Sequence, residues 1–244
     1  DALRERFHGF HKLVDNSFQD SARLIHDDEI DILIDLAGHT KGGQLSLLAL
    51  RPAPIQAHYL GYSATIGARF LDYLITDHHQ VPPEQRPFFT ENLVYLPDTF
   101  MATQRAPIAV DGPSRAECGL PDDAFVFANF NTHYKIEPQM FAIWMRLLRK
   151  IPNAVLWLIR GTTSSTDNLR REASARGVDP DRLIFAEKVP HPQHLARLSY
   201  ADLALDNLYH GGGVTTVDCL WVGVPLLTLA GPTPQSRNGA TLLS

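Results

Sequence analysis

Three consecutive glycines at residues 211–213 stand between an apolar segment, 202–207, and a helix-like apolar segment that opens with Thr215 and Thr216. Glycines allow a backbone to approach a ligand closely, and a helix start offers unpaired N–H groups to an anion. Asp218 lies in the first turns of that helix, where a carboxylate could accept hydrogen bonds from sugar hydroxyls. This combination indicates a site for a nucleoside diphosphate.

The local pattern leaves a second interpretation open, because glycine-rich turns between a strand and a helix are common in α/β folds. The sequence has no G-x-G-x-x-G dinucleotide fingerprint. Segment 38–43 contains glycines and a lysine, but their order is not that of a P-loop. A turn without any ligand therefore remains an alternative at this level.

The second half of the chain alternates strand-like and helix-like segments, which predicts a parallel sheet with helices on both faces. The predicted strands are 125–129, 155–159, 183–186, 203–206 and 225–229, and the predicted helices are 138–150, 166–176, 192–199 and 214–222. Ligands bind such sheets outside the carboxyl ends of the strands. Four segments follow those ends and are expected to share one rim: 129–135, 186–194, 207–216 and 231–237.

The first half contains a helix-like start and further strand signals. Strands are predicted at 30–37, 55–60, 73–76 and 94–96, with a helix at 45–50, a loop at 61–67 and a turn-rich connection at 82–87. Residues 103–122 are polar and rich in Pro, Gly and Asp, which is typical of a linker. We expect a first Rossmann-like domain at 1–105, a linker at 106–122 and an incomplete nucleotide-sugar-binding domain at 123–244.

Composition excludes several classes of protein. The net charge of −5 does not favour a nucleic-acid partner, and no apolar run approaches the roughly 20 residues that cross a bilayer. Cys118 and Cys219 lie far apart, which predicts reduced thiols in a cytoplasmic protein. Residues 1–6 are charged and unlike a secretory signal. The first residue is not Met and the last ones look like a starting helix, so we expect a fragment truncated at both ends.

Several collinear segments carry a resemblance to a known family. Segment 130–138 is similar to a motif of the O-linked N-acetylglucosamine transferase family, which includes bacterial homologues and the plant SPINDLY relatives. The similarity runs from about Ile25 to the end, and further matching segments are 49–56, 72–77, 155–158, 201–206 and 218–225. The resemblance implies an inverting GT-B glycosyltransferase, in which two Rossmann-like domains bind a nucleotide sugar without a metal. It also implies tetratricopeptide repeats upstream in the full-length protein.

The resemblance implies roles for individual residues. Lys135 matches the family lysine that contacts the diphosphate, where a cation stabilises the charge that the leaving group gains. His194 matches the histidine that packs against the uracil ring, and Asp218 matches the acid that holds the ribose hydroxyls. A solvated lysine and a surface histidine are the alternatives. Other residues are expected to bind the donor around these: Thr132, His191, Arg197, Gly213, Val214, Thr215 and Thr216.

Three departures from the family pattern accompany this resemblance. Gly213, Val214 and Thr215 stand where animal members have His-Thr-Thr, so the family histidine contact is lost. Thr215 and Thr216 are still expected to donate to phosphate. Segment 61–65 replaces the common Gly-Tyr-Pro-Gly-Thr loop on the sugar side, and Thr132 replaces a glutamine.

Inverting transfer requires the acceptor hydroxyl to lose its proton. His39 is the best-placed candidate base, because it follows the predicted strand on the presumed rim, and a histidine titrates near neutral pH. A loop histidine without a role is the alternative, and His26 and His58 are less well placed.

Two patterns resemble metal ligands. The adjacent residues 77–79 include two histidines, but neighbouring side chains usually diverge. Asp179 and Asp181 match the D-x-D pattern of metal-dependent glycosyltransferases, yet they are predicted in a turn at the wrong end of the sheet. We therefore expect neither a metal nor another cofactor.

The resemblance implies transfer of N-acetylglucosamine from UDP-GlcNAc to Ser or Thr hydroxyls of a protein or peptide acceptor, with no nucleic-acid or membrane partner. A SPINDLY-like transferase that uses GDP-fucose is a close alternative, because the sequence leaves the base pocket open. An inactive nucleotide-sugar-binding module is an alternative from another class.

Overall fold

Two parallel β-sheets organise the computed structural model, which describes residues 4–244. Contacts divide the chain into two units. The N-terminal unit extends to Asp77 and includes Pro82–Leu96, and the C-terminal unit comprises His78–Val81 and Pro97–Ser244. Each unit contains one of the two sheets. The α/β fold class with two Rossmann-like parallel sheets, predicted from the sequence, is confirmed.

The N-terminal sheet has four parallel strands in the order β1-β2-β3-β4. Its strands are β1 (Ile32–Asp35), β2 (Ile55–Tyr59), β3 (Tyr73–Asp77) and β4 (Asn92–Leu96). The helices are α1 (Phe18–Asp27) and α2 (Leu45–Leu48), with short 3-10 turns at Arg4–Arg6 and Pro83–Phe88. The helix-like start that the sequence suggests includes residues 1–3, which lie outside the described residues.

One face of this sheet is covered and the other is open. Leu48, Ile66 and Leu71 form a buried cluster on the covered side. Exposed apolar side chains lie on the strands themselves and include Ile32, Ile34, Ile55, Tyr73 and Val94.

The C-terminal sheet has five parallel strands in the order β7-β6-β5-β8-β9. Its strands are β5 (Phe125–Asn129), β6 (Ala154–Ile159), β7 (Leu183–Ala186), β8 (Leu203–Leu205) and β9 (Leu226–Leu227). Its α-helices are α3 (Pro138–Lys150), α4 (Thr163–Ala175), α5 (His191–Leu198), α6 (Val214–Trp221) and α7 (Asn238–Leu242), and 3-10 turns lie at His133–Lys135, Pro180–Arg182 and Pro234–Arg237.

Buried apolar clusters lie on both faces of the C-terminal sheet, as expected for parallel strands. Trp144 of α3 packs with Leu156 in one cluster, and Trp157 packs with Leu198 and Cys219 in the other. Successive β-strand residues point to opposite faces, which explains why Leu156 and Trp157 enter different clusters. This packing fixes the strand ends from which the site loops emerge.

The segment that the sequence suggests as a linker is held against the C-terminal unit. The Ala109 N–H donates to the Pro192 carbonyl at 3.0 Å, and the Trp221 indole donates to the Ala106 carbonyl at 3.0 Å. A Cβ atom on Gly112 would lie 2.4 Å from the Cβ of Ala196, so glycine permits this close approach. Contacts accordingly place the division between the units at Leu96, ahead of the suggested limit at residue 105.

Across residues 4–244, none of the helices combines the length and apolar content that crossing a lipid bilayer demands.

Candidate functional site

A buried carboxylate shapes the glycine turn between β8 and α6. Asp206 Oδ1 accepts hydrogen bonds from the N–H groups of Asn207 and Gly212 at 2.9 and 2.8 Å. Its Oδ2 accepts from the Thr228 hydroxyl at 2.8 Å. A Cβ on Gly212 would lie 2.6 Å from the hydroxyls of Thr215 and Thr216, so this position requires glycine. The turn is therefore closely packed before α6 begins at Val214.

The side chain of Lys135 contacts this glycine turn. The residue ends the 3-10 turn that follows β5, and its Nζ donates to the Gly211 carbonyl at 3.3 Å. Burial lowers the pKa of Lys135, and the opposing attraction of Asp206 only partly offsets it. A half-buried ammonium beside the start of a helix is a suitable binding site for an anion.

The hydroxyls of the two threonines differ from the sequence-based expectation. Thr215 Oγ1 donates to Asn131 Oδ1 at 3.0 Å, and Thr216 Oγ1 donates to the Gly212 carbonyl at 3.0 Å. A hydroxyl has one proton to donate, so both are engaged within the protein. The Thr216 side chain is also buried. The N–H groups of Thr216 and Val217 donate to the Gly213 carbonyl at 3.0 and 3.1 Å, so the groups that remain to meet a phosphate here are the N–H groups of Val214 and Thr215 at the start of α6.

Asp218 forms a pair with His191. His191 Nε2 lies 2.9 Å from Asp218 Oδ1, linking the start of α5 to α6. Asp218 is buried, whereas His191 is about half exposed. The histidine can therefore hold the carboxylate in one orientation while both residues remain at the rim of the sheet.

His194 presents a neutral aromatic ring. Its ring centroid lies 4.9 Å from that of Phe130, and it stacks against His191 at 6.5 Å. Burial, reinforced by the charge of Arg197, lowers the pKa of His194 to about 4, despite the opposing effect of Asp218. The imidazole is consequently uncharged at neutral pH, which suits stacking on a planar base.

Arg197 lies beneath this rim. The residue is 4% exposed, and its guanidinium lies 5.7 Å from the Phe130 ring centroid and 5.9 Å from that of Trp157. Its NH2 group donates to the Glu187 carbonyl at 2.7 Å. The structure therefore differs from the expected contact with a nucleoside: Arg197 supports the loop after β7 and the ring under His194.

A cleft of about 810 Å³ opens beside these residues. Thr132, which is exposed, and Phe130 line one side, and Glu187 and Lys188 line another. His133 also lines it, with Nε2 2.7 Å from the Ile159 carbonyl and Nδ1 2.9 Å from the Ser165 hydroxyl. A carbonyl can only accept, so Nε2 carries a proton.

Sequence reasoning missed the residues that support the site from below. These residues are Asn129, Phe130, Asn131, Asp206 and Asn207. Their positions at or directly after the ends of β5 and β8 were the available signal, and all of them except Asp206 lie in segments assigned to the binding rim. Which of them point inward could not be read from spacing alone.

His39 lies in the N-terminal unit. Its Nε2 is 3.0 Å from the Ile66 carbonyl, and its ring packs edge-on against Tyr62 at 5.3 Å. Because the carbonyl accepts, Nε2 carries a proton, and Nδ1 is the ring nitrogen that remains to accept one. His58 is buried, with Nε2 3.5 Å from Glu91 Oε1, and His26 is exposed on α1.

Neither metal-like pattern forms a ligand cluster. Within the part of the chain that the structure describes, no three His, Cys, Asp or Glu side chains are grouped as potential metal ligands. Asp179 Oδ1 accepts from the Asp181 N–H at 3.0 Å and caps the turn Pro180–Arg182. The interpretation of these two acids as a turn pair is confirmed.

Two parallel-sheet α/β units, one of which bears a lysine on a glycine turn at its carboxyl strand ends, define a protein of the GT-B class. The model of glycosyl transferase family 41 matches residues 4–108 and 102–244. The chain belongs to this family.

Individual relatives agree with this assignment. Over 85% of the chain it is 39% identical to the probable UDP-N-acetylglucosamine–peptide N-acetylglucosaminyltransferase SEC of Arabidopsis thaliana, and it covers 22% of that protein. It is 32% identical to a Petunia hybrida protein of the same description named SPINDLY, over 90% of the chain and 24% of that protein. A mutant O-GlcNAc transferase of Thermobaculum terrenum has a similar structure, with a TM-score of 0.87 and 32% identity over 99% of this chain and 46% of that one.

Proposed function

We propose that this chain carries the donor site of a protein O-GlcNAc transferase. The enzyme would move N-acetylglucosamine from UDP-GlcNAc to Ser or Thr hydroxyls of proteins, with inversion and without a metal ion. The contact between the Lys135 ammonium and the Gly211 carbonyl carries this proposal, because it sets a cation beside the N-terminus of α6. The relatives described as peptide N-acetylglucosaminyltransferases support the choice of donor and acceptor.

The leaving group determines what this site must do. As the bond between the sugar and the diphosphate breaks, negative charge grows on the phosphate oxygens. In this proposal, Lys135 and the N–H groups at the start of α6, around Val214 and Thr215, stabilise that charge. These groups are already positioned before the reaction, so little reorganisation is required.

The nucleoside would bind next to the phosphate groups. The neutral ring of His194 would stack on the base, and Asp218 would accept hydrogen bonds from the two ribose hydroxyls. His191 would orient that carboxylate through its 2.9 Å contact. Thr132 and Gly213 would border the bound donor, and Arg197 would act from beneath as a positioning residue.

Inversion requires the acceptor hydroxyl to attack the anomeric carbon from the side opposite the diphosphate. Its proton must pass to a base as the new bond forms. We propose His39 for this role, because Nδ1 is the acceptor nitrogen when Nε2 donates to the Ile66 carbonyl. A His39→Gln variant should then lose turnover while it retains its affinity for UDP.

The test uses the full-length gene product, the nucleotides and a peptide acceptor. Wild-type protein should bind UDP more tightly than GDP by calorimetric titration and transfer N-acetylglucosamine in the presence of EDTA. Lys135→Ala should abolish most transfer, whereas Lys150→Ala, which removes an exposed lysine at the end of α3, should not. Tighter binding of GDP would overturn the uridine assignment, and undiminished transfer by Lys135→Ala would overturn the role of that lysine.

A further inference from the structure

Three buried asparagines lie between Lys135 and the start of α6. Asn129, Asn131 and Asn207 are 3%, 6% and 1% exposed, and we call them the asparagine triad. Asn129 ends β5, Asn131 follows it, and Asn207 follows β8. Buried amides are costly unless they are hydrogen-bonded, so three of them at one rim require an explanation.

The members of the triad bond to one another. Asn207 Oδ1 accepts from Asn129 Nδ2 at 3.0 Å and from Asn131 Nδ2 at 2.9 Å. Asn129 Oδ1 accepts from the Asn131 N–H at 3.1 Å. Asn129 Nδ2 also donates to the Leu205 carbonyl at 2.7 Å, which connects β5 to β8.

The triad also bonds to both segments of the proposed diphosphate site, the turn that bears Lys135 and the first turn of α6. Asn207 Nδ2 donates to the main-chain carbonyl of Lys135 at 2.9 Å. At the other end, Asn131 Oδ1 accepts from the Thr215 hydroxyl at 3.0 Å. A continuous path of side-chain hydrogen bonds therefore joins the turn that bears the lysine to the first turn of α6.

The outer partners fix the orientation of the amides. The Lys135 carbonyl can only accept, so Nδ2 of Asn207 must face it and Oδ1 must face the other two amides. The Leu205 carbonyl fixes Asn129 in the same way. Exchanging O and N in either amide would place two acceptors or two donors together, so one arrangement satisfies the whole network.

We propose that the asparagine triad is a positioning element for the diphosphate, which holds the main chain of Lys135 at a fixed place relative to the start of α6. The inference rests on the proposed donor site and adds to it residues that need not touch the ligand. Since His194 and Asp218 take no part in the network, the triad should affect binding of the diphosphate and leave binding of the nucleoside unchanged.

Asn207→Asp tests this with little change of shape. The variant keeps an Oδ1 acceptor for the other two amides, but it places an oxygen opposite the Lys135 carbonyl. Asn153→Asp is the matched control, because Asn153 Nδ2 donates to the Asp123 carbonyl at 2.8 Å in an exposed part of the same unit. Both variants lose one bond from an amide to a carbonyl.

We would measure the dissociation constant of UDP from the full-length protein. The dissociation constant of uridine would be measured by its displacement of bound UDP. GDP and guanosine replace them if wild type binds GDP more tightly. We expect Asn207→Asp to weaken UDP binding by about tenfold or more and to leave uridine binding unchanged. A tenfold loss is the scale expected when a charge-assisted hydrogen bond is lost or displaced. Asn153→Asp should match wild type with both probes. Asn207→Leu, which loses the same bond to the Lys135 carbonyl without adding a negative charge, should repeat the selective loss. A loss seen with Asn207→Asp alone would be charge repulsion and would overturn the positioning role.

Equal weakening of diphosphate and nucleoside, or no weakening of either, would overturn the positioning role. Unfolding of both triad variants at the assay temperature would also overturn it, because the network would then be a folding requirement alone. A wild-type protein that binds neither UDP nor GDP would instead contradict the proposed function itself.

Discussion

At the scale of single residues, the charge of Lys135 determines how anion binding depends on pH. Burial lowers its pKa below the ordinary lysine value of 10.5. A diphosphate is attracted to the protonated form, so affinity for UDP should fall as pH rises through a range below that of an exposed lysine. Lys135→Arg should keep its affinity across the same range, because a guanidinium remains charged.

Calorimetric titration of UDP at a series of alkaline pH values checks this. Lys135→Ala should lose about 2 kcal/mol of binding free energy at neutral pH and most of the pH dependence. Lys150→Ala should follow wild type. A flat wild-type profile up to the ordinary lysine range would contradict the lowered pKa.

His194 couples the stability of the fold to pH. Its pKa lies near 4 in the folded protein, mainly because of burial, and at 6.5 in its ordinary state. As pH falls below 6.5, the unfolded chain takes up a proton that the folded protein does not, so this residue decreases the free energy of unfolding between about pH 6.5 and 4. Above that window it has no such effect.

Urea unfolding at several pH values, compared between wild type and His194→Phe, isolates this contribution. His133 and His210 also have pKa values lowered by burial and act in the same direction, so the difference between the two proteins is the relevant quantity. His194→Phe keeps an aromatic ring against Phe130 and should show a shallower loss of stability towards acid pH. Identical slopes would mean that His194 titrates normally.

At the scale of elements, the packing of the glycine turn before α6 tolerates a side chain at Gly213 far better than at Gly212. A Cβ on Gly212 would lie 2.6 Å from two engaged threonine hydroxyls, whereas a Cβ on Gly213 would meet its nearest atom, in Met101, at 3.6 Å. We expect Gly212→Ala to destabilise the fold by about 1–3 kcal/mol, as overpacking does, and to weaken UDP binding. Gly213→Ala should destabilise the fold much less.

Chemical unfolding and UDP titration of the two variants make this comparison directly. Each variant adds one methyl group to the same turn, so general effects of the substitution cancel. Equal behaviour of Gly212→Ala and Gly213→Ala would show that close packing does not define this turn.

Loop 61–67 of the N-terminal unit is likewise anchored by one buried acid. Glu91 accepts from the Ile66 N–H at 2.6 Å and from the Thr65 hydroxyl at 2.7 Å. Burial alone would raise the pKa of Glu91, but the nearby His58 and the hydrogen bonds from Thr65 and Ile66 lower it to about 2. Glu91 is therefore ionised at neutral pH, and through the Ile66 N–H it anchors the residue whose carbonyl contacts His39.

The regular elements of this chain could be predicted from its sequence. Strand 125–129 and helix 138–150 are predicted with the bounds that the structure gives, because apolar periodicity and a proline in the first turn mark them. Helix α4 begins at Thr163, three residues before its predicted start, since Thr162 caps it by accepting from the Ser165 N–H. β9 is reduced to Leu226–Leu227, shorter than the predicted 225–229.

The candidate site was only partly accessible from sequence. The glycines, Lys135 and Asp218 could be identified from sequence. Their residue types suit an anion site, and they follow predicted strands at the edge of the sheet where ligands bind. The inward orientation of Arg197 and of the threonine hydroxyls depends on which partner lies within hydrogen-bond distance. That depends on strand order and loop packing, since Asn131 and Thr215 are far apart in sequence.

At the scale of the whole molecule, the two units bury their sheets to different extents. The C-terminal sheet is covered on both faces, whereas the N-terminal sheet leaves apolar side chains such as Ile32 and Val94 exposed. Because burial of apolar surface is the main stabilising contribution to folding, we expect the N-terminal unit to unfold at lower denaturant concentration.

Tryptophan fluorescence can follow the C-terminal unit selectively. All three tryptophans of the chain, Trp144, Trp157 and Trp221, belong to that unit, and the first two are fully buried. A ligand that binds the folded state raises the free energy of unfolding by RT ln(1 + [L]/Kd), about 2.7 kcal/mol at a ligand concentration of 100 Kd. UDP should therefore raise the urea midpoint of the fluorescence transition in wild-type protein. Lys135→Ala should lose most of this shift at the same UDP concentration, whereas a midpoint unmoved by saturating UDP or GDP would contradict a nucleotide site in the C-terminal unit.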